Sequence, residues 1–428
     1  MYICSYLLLK SFFNQTEHTM RKLITLLVVF TTLYNGVFAG GYQVGLHGQK
    51  QIGMGLVGTS LSLDASSMFY NPGGLSFMKP SFSFSAGVSP IRSFTAYSKN
   101  EPSTYTAMTE NPLGTPFYFY GAAKISDRFS AGLAVNTPYG NSLSWGETWD
   151  GRYLIQDLSL RAIFFQPTVS FKVNDMIGIG VGFVYATGKF DLTKALPVSG
   201  ADGDGSVNLN GSTAEMGFNA GVMIKPVENL SIGVDFRSKI MMDVEGADAT
   251  FSVPASLAGN FPADNKFSTS LPLPANLDLG VSYNVTEDLM LALSLNYVFW
   301  SVYDSLIFDF ETNTPALPDS RNPRLYENKL IVRVGGEYTL NEKLAFRAGG
   351  YYDPTPVNED YFSPETPSLN NLGLTLGLSY NPIEKLSIDL SFLYIMGMEA
   401  EKQYTPDNFG GTFKSRVYIP GLGLTYNF

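Results

Sequence analysis

Segments of about ten residues in which apolar and polar side chains alternate recur through most of the chain. In KLIVRVGGEY (329–338), Arg333 and Glu337 lie on the face opposite the apolar residues. LSIGVDFRSK (230–239) and NLGLTLGLSY (371–380) repeat this period of two, which is the period of a β-strand with one apolar face. Strands that confine their charges to one face suit a barrel with a polar lumen, although a soluble β-sandwich shows the same alternation.

The lengths of the connections between these segments distinguish a membrane barrel from a soluble β-sandwich. Short polar links are found at residues 126–128, 173–175, 226–229, 285–288, 340–343 and 382–385. Long connections rich in Pro, Gly, Asn and Asp include residues 138–158, 191–211, 243–270 and 304–327. Short turns on one side and long loops on the other are typical of an outer-membrane barrel. We therefore predict an all-β fold in which residues 81–428 form a 14-stranded antiparallel transmembrane β-barrel, with the short turns in the periplasm.

The composition agrees with a barrel that spans a membrane. Charged residues make up 15% of the chain, whereas about a quarter is usual in soluble domains. The mean hydropathy of +0.03 is nevertheless too low for a helical membrane protein. Strands that alternate lipid-facing apolar residues with lumen-facing polar residues average to such values. The net charge of −10 argues against nucleic acid as a partner.

The first 39 residues carry the pattern of a leader for export. After Met20, two basic residues precede an apolar run (23–30) that ends in small residues before Ala39, as in a secretory signal peptide. A membrane anchor would need about 18 unbroken apolar residues, and Thr, Asn and Gly interrupt this run. We predict that residues 1–39 comprise upstream residues and a cleaved signal peptide, with Met20 as the start of translation.

Few residues capable of catalysis or metal binding would remain after cleavage. Cys4 and His18 would be lost, so that the mature chain would contain no cysteine and His47 as its single histidine. A Ser-His-Asp triad or a histidine metal site would depend on that residue alone. We predict no cofactor, no metal and no enzymatic activity. A lipid hydrolase with a serine beside His47, and a structural or adhesive barrel, are the alternatives.

The segment GQKQIGMGLVGTSLSLDASSMFYNPGGLSFM contains G-x-G-x-x-G at Gly53, Gly55 and Gly58. That pattern binds a dinucleotide only when a buried strand precedes it, and no strand is predicted before these glycines. Residues 40–80 also lack an alternating run long enough to cross a membrane. Because a barrel of this size encloses more space than its wall side chains fill, we predict that residues 40–80 plug the lumen, with the glycines packed closely against the wall.

This plug segment closely resembles the amino-terminal hatch of the FadL-type outer-membrane transporters of long-chain fatty acids and other hydrophobic compounds. GMGLVGTSLSLDASSMFYNPGGL follows the family's GMGGA, DASA and FYNPAGL strings in order, with glycine in place of the family's alanine after Asn-Pro. Similar strings continue in WDGRY (149–153), QPTVSFKVND (166–175) and RAGGYYDPTPV (347–357). The hatch residues that the resemblance identifies are Gly53, Gly55, Asp64, Phe69, Asn71, Pro72 and Gly73.

The resemblance implies a monomeric barrel in the outer membrane of a Gram-negative bacterium, plugged by the hatch. Hydrophobic small molecules, such as fatty acids or hydrocarbons, would be captured at the extracellular side and released laterally into the lipid bilayer at a kinked strand. Pro138 is the candidate for this lateral gate because proline removes a ladder hydrogen bond; an ordinary proline at a strand end is the alternative. The last strand, which ends at Phe428, would be recognised by the barrel-assembly machinery.

Basic and aromatic residues are the candidates for ligand binding. The family's fatty-acid binders place basic residues in the lumen against the carboxylate, whereas Glu327 stands near the expected position of one of them. A carboxylate ligand and a neutral hydrocarbon therefore both remain open. The predicted ligand-binding residues are Trp149, Arg152, Tyr153, Lys189, Arg324 and Lys329. An interfacial aromatic belt is the alternative role for Trp149.

Overall fold

The structure, a computed structural model, describes residues 41–200 and 203–428. The predicted signal peptide lies outside these residues. The helices in the described part are short: α1 (Gln49–Gly53), α2 (Ser67–Tyr70) and the 3-10 helices Pro72–Phe77, Ala255–Asn260, Trp300–Val302 and Thr405–Asp407. Within residues 41–200 and 203–428, no helix has both the length and the apolar character needed to cross a membrane.

Twenty strands account for most of the described residues. They are β1 (Phe82–Val88), β2 (Arg92–Ser98), β3 (Thr106–Met108), β4 (Phe117–Lys124), β5 (Phe129–Ser144), β6 (Asp157–Lys172), β7 (Ile177–Gly200), β8 (Gly203–Val227), β9 (Leu230–Arg237), β10 (Ile240–Ser252), β11 (Asn265–Leu273), β12 (Asn276–Asn284), β13 (Leu289–Val298), β14 (Ser305–Phe310), β15 (Ser320–Pro323), β16 (Lys329–Asn341), β17 (Leu344–Asp353), β18 (Asn371–Ile383), β19 (Leu386–Tyr404) and β20 (Phe409–Asn427).

Fourteen of these strands close into an antiparallel barrel, which confirms the predicted fold. Each strand pairs with the next around the wall in the order β1, β4, β5, β6, β7, β8, β9, β12, β13, β16, β17, β18, β19 and β20. Strand β20 then pairs with β1 and completes the ring. Closure matters because a bilayer offers no partner for the backbone groups of an open sheet edge.

The remaining six strands belong to the long connections. Strands β2 and β3 lie between β1 and β4, β10 and β11 between β9 and β12, and β14 and β15 between β13 and β16. All six predicted short links are found as turns between consecutive wall strands, starting with the turn from β4 to β5. The short polar links therefore mark the turns at one end of the barrel correctly.

Two predicted loop boundaries are wrong. Residues 191–211 belong mostly to β7 and β8, which stay paired from Ile177 opposite Ile224 up to the hairpin tip. Their composition suggests a loop, but Leu192, Val207 and Leu209 are buried in a core above the lumen, and this packing keeps the segment extended. The predicted connection 138–158 also begins too early, because β5 continues through Pro138 to Ser144.

The two faces of the wall differ as expected for a barrel in lipid. Large apolar side chains, for example Phe183, Leu291 and Leu376, are exposed on the outer face. Polar side chains such as Gln166 and Asn219 alternate with the outer residues and are buried on the inner face. An apolar exterior around a polar lumen is the arrangement that the outer membrane requires.

Single cysteines test the orientation of the barrel. Glu228, in the turn from β8 to β9, and Asn313, in the connection from β14 to β15, are both exposed. We expect a membrane-impermeant maleimide to label N313C on intact cells and to label E228C only after the outer membrane is broken. Labelling of E228C on intact cells, with N313C protected, would mean that the barrel is inserted the other way round.

Candidate functional site

Residues 41–80 lie inside the barrel as a hatch, and their backbone approaches the backbone of the wall. A Cβ on Gly53 would lie 2.8 Å from the Cα of Gly377 in β18. Gly55 has a φ of +70°, and a Cβ there would lie 2.8 Å from the nitrogen of Gly350 in β17. Only glycine tolerates both the left-handed backbone and this close approach. Gly58 differs from the prediction, because it packs against Tyr70 within the hatch itself.

Asn71 fixes the turn that follows α2 and ties it to the wall. Its side-chain oxygen accepts a hydrogen bond from the nitrogen of Gly73 at 3.0 Å, which caps the 3-10 helix that begins at Pro72. Its amide nitrogen donates to the carbonyl of Thr59 at 2.8 Å and to that of Val222 in β8 at 3.0 Å. One side chain therefore joins two parts of the hatch to the barrel.

The close approach of the wall also explains the glycine at position 73. A Cβ on Gly73 would lie 2.8 Å from the carbonyl oxygens of Gly178 and Gly221, closer than real Cβ atoms come to backbone. Alanine at this position would therefore require the turn or the wall to shift.

The carbonyl groups at the end of α2 are bound by polar side chains of the wall. Arg237 of β9 donates to the carbonyl of Phe69 at 2.7 Å, and its guanidinium lies 4.0 Å from the centre of the Phe69 ring. Gln166 of β6 donates to the carbonyl of Met68 at 2.6 Å. Helix ends leave such carbonyls without partners in the helix. The lumenal side chains therefore hold the hatch by its backbone.

Asp64 organises the start of α2. Its carboxylate accepts a hydrogen bond from the nitrogen of Ser66 at 2.9 Å and lies 3.8 Å from the ammonium of Lys50. Lys50 is also 4.0 Å from Asp389 on the wall strand β19. These ion pairs connect the two hatch helices to each other and to the barrel.

His47 is buried in the hatch among aromatic side chains. Its ring centre lies 3.7 Å from that of Phe69 and 6.1 Å from that of Tyr70. Burial, and then the neighbouring positive charge of Arg237, lower the pKa of His47 well below its ordinary value. Its Nδ1 has no hydrogen-bond partner in the described part of the chain. The ring is therefore placed as a neutral packing group.

The wall strand β5 is irregular at the predicted gate residue. The ladder between β5 and β6 shifts register between Asn136 and Tyr139, and the pairing of β5 with β4 stops at Asn136. Pro138 lies within this bulge and has no N–H to donate. Beyond this point, β5 has lost its neighbour on one side.

The beginning of the hatch takes the place of β4 beside the bulge. The nitrogen of Val44 donates to the carbonyl of Pro138 at 2.8 Å, and the nitrogen of Gly140 donates to the carbonyl of Tyr42 at 3.1 Å. These two bonds make residues 42–44 a short antiparallel partner of β5, with Gln43 opposite Tyr139. The hatch therefore closes the wall at its irregular point.

A cavity that is partly open to solvent lies beside the bulge and is lined by residues of the hatch, the wall and the extracellular loops. Tyr42 and Tyr139 both border it, with ring centres 6.3 Å apart. Its other walls are mainly apolar side chains, including Leu160, Phe190, Leu192, Met242, Leu273 and Phe308. Burial raises the pKa of the Tyr42 hydroxyl, which donates a hydrogen bond to the carbonyl of Pro272.

The loop of residues 354–370 borders this cavity and brings a carboxylate to it. Glu365 borders the cavity and forms an ion pair with Arg324, a predicted ligand-binding residue that is 1% exposed. Lys329, another predicted residue, forms an ion pair with Glu327 at 2.7 Å. Both basic residues are therefore engaged with carboxylates of the protein.

The other predicted ligand-binding residues lie in separate places. Trp149 is buried and stacks on Trp145, with ring centres 4.4 Å apart, so it belongs to a core among the extracellular loops and not to an interfacial belt. Arg152 and Tyr153 each contact a carboxylate oxygen of Asp204 at 2.8 Å. Lys189 and the residues on either side of it border the cavity, and strand alternation directs the Lys189 side chain outwards.

Sequence patterns did not reveal the residues that bring the cavity and the bulge of β5 together. Tyr42, Tyr139 and Ala162 come from the hatch, β5 and β6, and no local motif links them. Alternation did place Arg237 on the lumenal face, which is the signal that could have identified it as an anchor of the hatch. In the described residues, no three acidic, histidine or cysteine side chains are grouped as they would be around a metal ion.

The sequence is similar to those of known outer-membrane proteins. The model of the family described as outer membrane protein transport protein (OMPP1/FadL/TodX) matches residues 30–428. The chain is similar to outer membrane protein P1 of Haemophilus influenzae, with 27% identity over 352 residues, 72% of this chain and 74% of that protein. It is also similar to the long-chain fatty acid transport protein of Escherichia coli K12, with 21% identity over 453 residues, 96% of this chain and all of that protein.

Solved structures share the fold. The crystal structure of a Pseudomonas aeruginosa FadL homologue has a TM-score of 0.79 and 21% identity, covering 91% of this chain and 100% of that chain. The toluene transporter TodX of P. putida has a TM-score of 0.70 and 17% identity, covering 92% and 99%. Because the family model covers nearly all of the sequence, the chain belongs to the OMPP1/FadL/TodX family of outer-membrane proteins that transport hydrophobic compounds.

Proposed function

We propose that this barrel takes up an uncharged, mainly hydrophobic compound into the lumenal cavity and releases it sideways into the outer membrane when the hatch leaves the bulge of β5. The moving part is the hatch, residues 40–80, and above all its first residues. The observation that carries the proposal is the position of Tyr42. Tyr42 borders the cavity, and its backbone carbonyl accepts a hydrogen bond from the nitrogen of Gly140 in β5.

This shared residue provides a direct mechanical connection between ligand and gate. A ligand that enters the cavity competes with the Tyr42 ring for space, and displacement of the ring pulls on the bond to Gly140. When residues 42–44 move away, Pro138 and Gly140 lose the partners that complete the wall. The wall then has a gap where β4 and β5 are no longer paired above Asn136.

Sideways release suits the chemistry of such a ligand. An apolar molecule gains no free energy from an aqueous channel when a bilayer lies next to it, because burial of apolar surface from water is the favourable step. Transfer is favourable by about 25 cal/mol per Å² of apolar surface removed from water. Because this transfer from water into the bilayer is favourable, uptake requires no separate source of energy.

The cavity favours a neutral ligand over a carboxylate. The names of the relatives include transporters of long-chain fatty acids and of toluene, so both classes are candidates. Here the carboxylate of Glu365 borders the cavity, and Arg324 is already paired with it. A ligand carboxylate would meet a like charge beside a cation that is already paired. The other two basic residues of the lining, Arg161 and Lys189, lie on the outer face of their strands. We therefore assign ligand contact to the apolar lining and not to Arg324 or Lys329.

A fatty acid and its methyl ester distinguish the two ligand classes. We expect the purified protein to bind them with dissociation constants within about threefold, a difference of roughly 0.7 kcal/mol, measured by displacement of a fluorescent lipid in detergent. The isosteric substitution E365Q should tighten binding of the acid and leave the ester unchanged, because it removes the like charge. Binding of the ester that is ten or more times weaker than binding of the acid would contradict a neutral ligand. Recovery of intact ester from the mixture also tests the alternative of a lipid hydrolase.

We also propose that the protein is a monomer and that the barrel-assembly machinery inserts it into the outer membrane. One chain closes the whole ring, so no second copy is needed to complete the wall. The final strand β20 carries exposed Tyr418, Leu422 and Leu424 on its outer face, followed by Phe428. Deletion of Phe428 tests whether the barrel-assembly machinery recognises this strand.

A further inference from the structure

Two basic side chains lie side by side on the outer face of the wall. Arg161 of β6 is directly opposite Lys189 of β7, and Ser212 of β8 is opposite Lys189. Both basic residues are exposed, whereas their sequence neighbours Ala162 and Phe190 belong to the core above the lumen. Since successive side chains of a strand point to opposite faces, Arg161, Lys189 and Ser212 form an outward row, here termed the basic row.

The basic row carries two positive charges that no carboxylate among the described residues pairs with. Like charges directly opposite each other on neighbouring strands are destabilising. In the described part of the chain, neither Arg161 nor Lys189 forms an ion pair or a side-chain hydrogen bond. The carboxylate next along this face of β7 is Asp191, whose two oxygens accept hydrogen bonds from the amides of Asn208 and Asn210 at 2.8 Å. An external anion would relieve the repulsion.

The basic row marks the upper edge of the apolar surface. Below it, the outer face of β7 carries exposed Tyr185, Phe183 and Val181. Above it, the next row consists of polar residues, with Asp191 opposite both Ser159 and Asn210. This order of side chains is typical of the boundary between the hydrocarbon and the headgroups.

The height of Lys189 on the barrel agrees with that boundary. Lys189 is twelve residues from Ile177, the first residue of β7 after its short turn. Twelve residues of strand span about 40 Å, which corresponds to a height of about 28 Å for a strand tilted by about 45°. The apolar band of such barrels is about 25 Å tall. The basic row therefore lies at the headgroups of the outer leaflet.

There is room for a headgroup on the basic row. Arg161 is opposite Gly140 on one side, and Lys189 is opposite the small Ser212 on the other. The three strands form a shallow depression here, which Ile163 and Thr187 also line. A ligand in this depression would touch the charges and the apolar surface below them at the same time.

We propose that the basic row binds the phosphorylated headgroup of an anionic glycolipid in the outer leaflet, with its acyl chains against the apolar side chains beneath. Arginine forms paired hydrogen bonds with phosphate, and lysine supplies a point charge. Basic residues at a membrane surface attract anionic lipids. The apolar contacts favour a lipid over a free anion. The lipid would then stand beside β5, the strand that contains the bulge.

Binding of lipid A with two phosphates tests this proposal. The purified barrel in detergent is titrated with lipid A, and bound copies are counted by native mass spectrometry. We expect R161Q/K189Q to retain at least fivefold less lipid A than the wild type, with R161Q and K189Q intermediate. The matched control K343Q/K385Q removes the same charge from two exposed residues of short turns at the opposite end and should bind as the wild type does. Heat-modifiable migration in gels verifies that each variant is a folded barrel.

Two further ligands separate lipid from phosphate. Dephosphorylated lipid A should bind the wild type as weakly as lipid A binds R161Q/K189Q, and inorganic phosphate should not displace lipid A. The charge-preserving exchange R161K/K189R should retain most of the binding. Equal retention by the wild type and R161Q/K189Q, equal binding of dephosphorylated lipid, or ready displacement by inorganic phosphate would each overturn the proposal.

Discussion

A disulfide between the start of the hatch and the bulge of β5 should stop uptake and leave the barrel intact. Gln43 and Tyr139 are opposite each other in an antiparallel bridge, and the flanking bonds from Val44 and Gly140 make this the closer, non-hydrogen-bonded type of pair. Such pairs have Cα atoms about 4.5 Å apart, within the range of disulfides. We expect uptake of a labelled fatty acid or hydrocarbon by cells with Q43C/Y139C to fall at least tenfold on oxidation and to recover on reduction.

The same protein before and after reduction controls for the loss of the Tyr139 side chain. A second control is S85C/T425C, which joins the wall strands β1 and β20, where the two hydroxyl oxygens are 3.1 Å apart. This bridge should leave uptake unchanged because it does not involve the hatch. Full uptake with the Q43C/Y139C bridge complete would show that the bulge is not the exit, and the proposed mechanism would fail.

Filling the cavity from Ala162 should have a similarly large effect through loss of binding. Ala162 is 4% exposed, borders the cavity and is opposite Tyr139 in the ladder. Tryptophan in this position occupies the space that the ligand needs. We expect A162W to bind the ligand at least tenfold more weakly, a loss of about 1.4 kcal/mol, with a parallel loss of uptake in cells.

The matched control for this variant is A348W, because Ala348 lies exposed on the outer face of β17. Overpacking costs typically about 1–3 kcal/mol of stability, so the thermal unfolding of both variants should be measured alongside binding. If A162W folds and transports as well as A348W, the ligand passes through another part of the barrel.

The sequence alone predicts the architecture because the signals for it are local. The period of two in segments such as 329–338 assigns Arg333 and Glu337 to the lumen, and the short polar links mark the turns without reference to the rest of the chain. The hatch is recognisable for the same reason, since glycine spacing and the Asn-Pro turn are properties of one continuous segment.

The location of the candidate site could be determined only from the tertiary structure. Tyr42, Tyr139 and Ala162 meet only because the register of β5 shifts at Pro138 and the hatch pairs with the strand at that point. The position of a register shift depends on how strands, loops and hatch pack together. The sequence of β5 by itself therefore shows a proline, but it shows neither the bulge nor the hatch segment that pairs with it. Strand alternation predicts the face on which a residue such as Lys189 lies, whereas its neighbour across the ladder, Arg161, is decided by the pairing of two strands. Contacts between distant parts of the chain are selected by packing and register, and these are properties of the assembled barrel.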